Sequence, residues 1–146
     1  MSHESRAAEA DSCRKTLIMP VSHHSHGTRF RCASSLTGKE VFNRADVHLC
    51  DIKDLVLDSV TGRIGYAVVS LGGFLGLGGK LLAVPWNALI LDPVRRRFVL
   101  NIERTRLEGA PGFDINHWPD MDDPSWVEGI HAYYGTRPYR FVAQSV

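Results

Sequence analysis

The sequence predicts an all-β fold: a small antiparallel barrel over residues 34–107, preceded by a flexible tail (1–33) and followed by an extension with one short helix (108–146). Three observations predict it. Short apolar stretches recur along the middle of the chain with a period of two. Glycine, proline, asparagine and aspartate separate them at short intervals. Little between these stretches keeps a helical period.

The first strand is expected within Thr37–Asn43, with Val41 inward, closed by a turn over Asn43-Arg44-Ala45-Asp46. The second runs from Val47 to Asp58. Its apolar positions change phase: Val47 and Leu49 are odd, Ile52 is even, Leu55 and Leu57 are odd again. One regular strand cannot keep all of them on one face, so a bulge is expected between Cys50 and Asp54. Asp58-Ser59-Val60-Thr61-Gly62 is a hairpin loop in which Gly62 supplies a positive φ. In Arg63–Leu71 both alternating sets are apolar or small, as in a strand covered on both faces. Residues 72–79 hold five of the chain's thirteen glycines and form a loop. Leu81–Pro85 is a strand that Pro85 confines to an edge or to a strand end. Trp86–Leu91 continues the apolar run, with Trp86 read as a core or corner residue. Asp92-Pro93 turns the chain, and Arg97–Ile102 closes the barrel with Phe98, Leu100 and Ile102 on one face. After a Gly109-Ala110-Pro111-Gly112 linker, Phe113–Met121 is irregular. Asp123 then caps a helix with Pro124 in its first turn; Trp126, Ile130 and Tyr133 or Tyr134 share a face and Gly135 ends it.

Composition narrows the function classes. Hydrophobic residues make up 44% and charged residues 23% of 146, as in ordinary globular domains, and the net charge of +1 provides no bulk field toward nucleic acid or anionic lipid. The charge is uneven: +2 over residues 1–33, +3 over 34–107 and −4 over 108–146. Three widely spaced cysteines, Cys13, Cys32 and Cys50, do not form a disulfide framework, which suits a reducing compartment. No apolar run approaches the roughly 20 residues of a membrane span, and the first twenty residues lack a signal-peptide core. A cytoplasmic protein without direct membrane insertion is expected.

The segments Gly38-Lys39-Glu40-Val41-Phe42-Asn43, Ile52-Lys53-Asp54-Leu55-Val56-Leu57-Asp58, Thr61-Gly62-Arg63, Gly72-Gly73-Phe74-Leu75-Gly76 and Val84-Pro85-Trp86, in this order and spacing, resemble the PRC-barrel family. That family includes the cytoplasmic domain of the photosynthetic reaction-centre H subunit, the C-terminal domain of a bacterial ribosome maturation factor and small stand-alone bacterial proteins, which this chain resembles most. Two positions depart from the pattern. Asp46 and Cys50 stand where glycine is common; aspartate tolerates unusual backbone angles, whereas cysteine cannot adopt those reserved for glycine. The resemblance implies a small antiparallel barrel, no catalytic residues, and a role in binding or assembling other macromolecules.

Several groups invite chemistry and are weighed against plainer readings. The glycine-rich loop is not a Walker loop, because Phe74 stands where its first glycine belongs and Leu81 where Ser or Thr would bind magnesium. A dinucleotide fingerprint fails at Leu81 as well. The loop is read instead as a turn displaying Phe74, Leu75 and Leu77 as a contact surface. His23-His24-Ser25-His26 with Cys13 and Cys32 lacks the spaced ligand pairs of a preorganised metal site. His48 and Cys50 should share a strand face, but two ligands are too few. His117 and His131 with Asp114, Asp120, Asp122 and Asp123 could supply acid–base pairs, yet their spacing defines no nucleophile, base and orienting group together. Arg95-Arg96-Arg97, with Arg104 and Arg106, could meet RNA or an acidic protein; the plainer reading is a solvated turn guarding a sheet edge.

The resulting expectation is a non-enzymatic protein-binding or assembly module without cofactor or metal, forming a homodimer or larger homo-oligomer or docking on a protein partner in a larger complex. Its candidate surface is Phe74, Leu75, Leu77, Arg95, Arg96 and Arg97. The alternatives are an RNA- or ribosome-associated assembly factor, which is less favoured, and an accessory protein of a reaction-centre-like membrane complex.

Overall fold

A computed structural model describes residues 31–71 and 79–138. The chain divides into two units between Leu36 and Thr37. The expected tail lies outside the described residues up to residue 30, as do His23, His24, His26 and Cys13. The described end of the first unit holds one 3-10 turn, Ala33–Ser35, in which the Ser35 hydroxyl donates to the Cys32 carbonyl at 2.7 Å.

The second unit is a six-stranded sheet curled into a half-barrel. Its strands are β1 (Glu40–Phe42), β2 (His48–Leu57), β3 (Ile64–Ser70), β4 (Leu81–Pro85), β5 (Leu89–Asp92) and β6 (Arg97–Leu100), in the order β4-β3-β2-β1-β6-β5. Neighbours are antiparallel except β1 and β6, which run parallel with Val41 beside Phe98 and Phe42 beside Val99. Among the described residues two helices follow: α1 (Arg104–Glu108) and α2 (Pro124–Tyr134).

The phase change in β2 is met by bulges. Against β3, Ile52 pairs with Val69 and Asp54 with Val68, so Lys53 is the extra residue. Against β1, the register shifts between Val41, opposite Cys50, and Phe42, opposite His48. Leu49 and Cys50 are consequently both buried while His48 is exposed. The expected shared face for His48 and Cys50 is therefore overturned: a bulge breaks the alternation that sequence parity assumes. Cys50 reaches its place without a positive φ, and Asp46 takes φ 61° in the turn where glycine is common.

The β2–β3 hairpin turns as its residues require. Gly62 has φ 73°, and the Asp58 carboxylate accepts from the backbone N–H of Val60 and the hydroxyl of Thr61. β3 is covered on both sides. Ala67 and Val69, with Val84 and Leu82 opposite them on β4, are wholly buried inside the curl. Tyr66, on the other side, packs with Ala83 and Ile130, flanked by Val56, Phe113, Met121, Trp126 and Tyr134. That second cluster is where α2 docks. Fully burying a side chain such as Ile130 contributes roughly 1.5–3 kcal/mol.

α2 begins and ends where its caps require. The Asp123 carboxylate accepts from the Ser125 N–H at 3.1 Å, Pro124 opens the helix, and Gly135 adopts φ 68° at its end. β4 lies at an edge and ends on Pro85. The chain then makes a 3-10 turn, Trp86–Ala88, whose Trp86 ring stacks edge-on against Phe98 at 5.4 Å. β6 is shorter than expected, leaving Ile102 beyond the strand, and α1 was not expected at all. Five residues are too few to display a helical period; α1 forms because Leu107 is fully buried and Arg104 bonds Glu108 one turn along.

Candidate interaction surface

The outer face of the curl is built by strand alternation. On β6, Phe98 and Leu100 point inward, so Arg97 and Val99 point outward. Val99 lies beside Ile90 of β5 and beside Phe42 of β1. Ile90 is 55% exposed, and Phe42 and Val99 are half-buried. An apolar strip, Ile90–Val99–Phe42, thus crosses three strands on the side away from the core.

The strip runs out to an open edge. Among the described residues, β5 pairs with β6 alone, and its other side carries no strand. The opposite edge differs: Leu81 of β4 exchanges two backbone hydrogen bonds with Phe113, at 3.0 and 2.9 Å, and α2 packs on β4. Val94, in the β5–β6 turn, is 89% exposed.

One end of the strip is charged, and here the three consecutive arginines separate into different roles. The Arg97 guanidinium lies 4.2 Å from the centre of the Phe42 ring, with its side chain only 13% exposed. It hydrogen-bonds Asp46 and lies 3.9 Å from Asp92. Arg95 bonds the same Asp46 carboxylate at 3.0 Å from a more exposed position. The hydrogen bond from Arg97, with the charges of Arg95 and Arg97, holds the Asp46 carboxyl below its ordinary range. Arg96 stands exposed at the turn with φ 55°. Arg97 is thus a packed and paired cation that ties the β1–β2 turn to the β5–β6 hairpin. Arg104 and Arg106 are also engaged: Arg104 with Glu108 and the His48 carbonyl, Arg106 with the Tyr133 carbonyl and ring.

The other sequence candidates separate. Phe74, Leu75 and Leu77 lie outside the described residues. His117 is exposed, 3.9 Å from Asp114. His131 is buried on the sheet-facing side of α2, bonded to Tyr66 and Thr136. The structure therefore does not join the two histidines in one acid–base site. A cleft of about 320 Å³ opens between α1 and the end of α2, lined by Ile102, Glu103, Arg106, Tyr133 and Tyr134. At its wall the Tyr133 hydroxyl donates to the Arg106 carbonyl while Arg106 donates to the Tyr133 carbonyl at 2.9 Å, a reciprocal pair joining the two helices.

Sequence reasoning missed the strip itself. Ile90 and Val99 meet across the β5–β6 hairpin, but Phe42 is distant in sequence, and the parallel β1–β6 pair brings it beside them. The available signal was the alternation within Arg97–Ile102, which already set Val99 opposite to Phe98.

Residues 30–107 match the PRC-barrel domain family, over half of the chain. The chain belongs to the PRC-barrel family. The resemblance carried by the order and spacing of the five segments is thereby borne out. No curated protein matches this PRC-barrel chain. Among solved structures it is similar to RimM, a 16S ribosomal RNA processing protein from Pseudomonas aeruginosa. The identity is 15%, the match covers 56% of this chain and 49% of that one, and the TM-score is 0.34. This PRC-barrel chain spans about half the length of that protein. Among the described residues, no helix is long and apolar enough to cross a membrane.

Proposed function

We propose that this PRC-barrel protein is a non-enzymatic assembly module that self-associates through the outer face and open edge of β5. The observation that carries the reading is the Ile90–Val99–Phe42 strip running out to an edge whose backbone groups have no strand partner among the described residues. An exposed edge with an apolar neighbour favours strand addition, and two copies related by a two-fold axis pair such an edge antiparallel with itself. The environments of His117 and His131 support the non-enzymatic part, since one is solvated and the other is packed between Tyr66 and Thr136.

Sedimentation equilibrium of the full chain tests the reading. The wild type is expected to be dimeric, and Ile90→Lys monomeric with unchanged far-UV circular dichroism. A wild type that stays monomeric across the accessible concentration range overturns it. RNA association remains the competing outcome. It would appear as steeply salt-dependent binding lost on charge reversal of Arg95 and Arg96. The engagement of Arg95 and Arg97 by Asp46 weighs against it, because that carboxylate already neutralises part of the patch.

A further inference from the structure

We propose that Glu40, His48 and Asp51 form a surface site for a divalent first-row transition cation. Each offers one ligand atom, and the three atoms lie within 4.8 Å of one another. The set arises from strand pairing. Glu40 on β1 stands directly opposite Asp51 on β2. His48 lies three residues before Asp51, which in a regular strand would put the two on opposite faces. The bulge that buries both Leu49 and Cys50 returns His48 to the outer face, and its Nε2 reaches Asp51 Oδ1 at 2.9 Å. The imidazole is further oriented by Phe42, against which it stacks edge-on at 5.4 Å.

The charge arrangement favours a cation. Two carboxylates directly opposite each other on adjacent strands repel, and such pairs destabilise a sheet. Among the described residues neither one forms an ion pair with a lysine or arginine; Asp51 meets only His48. A dication between the carboxylates would convert that repulsion into attraction. One imidazole and two carboxylates are the donor set of zinc, manganese or iron, whereas calcium and magnesium prefer oxygen donors throughout. Metal–ligand bonds of about 2.0–2.2 Å bring ligand atoms to roughly 3.4 Å from one another in a tetrahedron. Rotation of the exposed Glu40 side chain closes the remaining distance. Three protein ligands leave a coordination position open to water or to a donor from another molecule.

Zinc titration of the full chain by calorimetry tests this site independently of self-association. His23, His24 and His26 are replaced by alanine in the background, so that they cannot contribute. One zinc per chain is expected to bind in that background. His48→Ala should abolish this binding, and Glu40→Gln or Asp51→Asn should each weaken it by about tenfold or more. These side chains lie on the outer face of the sheet, so metal-free variants should keep the parent's circular dichroism, and Glu40→Gln should melt no lower than the parent because it relieves the carboxylate repulsion. Zinc bound equally by the background and by His48→Ala overturns the proposal. So does zinc bound by the wild type but not by the His23/His24/His26 background.

Discussion

The His131 Nε2 lies 3.4 Å from the Tyr66 hydroxyl, and the Nδ1 of the same ring lies 2.8 Å from the Thr136 hydroxyl. One buried imidazole thus joins the helix α2, the strand β3 and the turn after the helix. Burial holds it below its ordinary value of 6.5. In the interval below that value the unfolded chain binds more protons than the folded one, so stability is lost as protons are added. The contribution is fully present above pH 6.5 and declines as pH falls through the folded value. Urea midpoints are expected to drop as pH falls below about 6.5, and His131→Gln should flatten that part of the profile. An unchanged slope in the variant would assign the dependence to other groups.

Asp46 has two separable roles. Its backbone takes a left-handed φ of 61°, and its carboxylate holds Arg95 and Arg97. Asparagine also tolerates left-handed angles but carries no charge; alanine loses both properties. Thermal stability should therefore fall in the order wild type, Asp46→Asn, Asp46→Ala. Its carboxyl titrates below the ordinary 3.8, so the ion-pair contribution is present above that value and lost as pH falls through the folded one. The gap between wild type and Asp46→Asn should close correspondingly in strong acid. Equal melting temperatures for the wild type and Asp46→Asn would show that the carboxylate charge contributes nothing.

Helix α2 is held by its buried residues Ile130 and His131 and by two caps. Ile130 is 3% exposed against Tyr66 and Ala83. Its truncation to alanine should cost about 2–5 kcal/mol through lost transfer energy and a residual cavity. Asp123→Ala removes the N-cap and should cost about 1 kcal/mol. Gly135→Ala forces a Cβ into a left-handed position and should cost about 1–2 kcal/mol. Denaturant titrations rank the three; a cap variant costing more than Ile130→Ala would contradict the view that packing on the sheet dominates.

Cys50 is 1% exposed, and burial together with the nearby Asp51 charge pushes its thiol up to about 12. A thiol so protonated and enclosed should not react with iodoacetamide in the folded protein. Peptide mapping after native labelling should find Cys32, which is exposed, modified ahead of Cys50. Labelling of Cys50 should rise only with denaturant, following global unfolding. Rapid native labelling would mean that β2 opens locally.

Much of the architecture was legible in local patterns. The bulge in β2 followed from the phase change between Leu49 and Ile52, because side chains must alternate along a strand. Gly62, Asp123, Pro124 and Gly135 sit where turn and cap chemistry places them, and the order of short motifs pointed to the PRC-barrel family. These are short-range constraints, set by backbone angles and by neighbours a few residues away, so the sequence by itself determined them. The tertiary structure decided what depends on pairing between distant segments. It placed β1 parallel to β6, aligning Phe42 with Val99 and Ile90. It packed Arg97 against Phe42 and Asp46, and it buried His131 against Tyr66. It also brought Glu40 opposite Asp51 and turned His48 away from Cys50. Each of these depends on which strand edge meets which, and that is settled by closing a common core rather than by any residue's own preference.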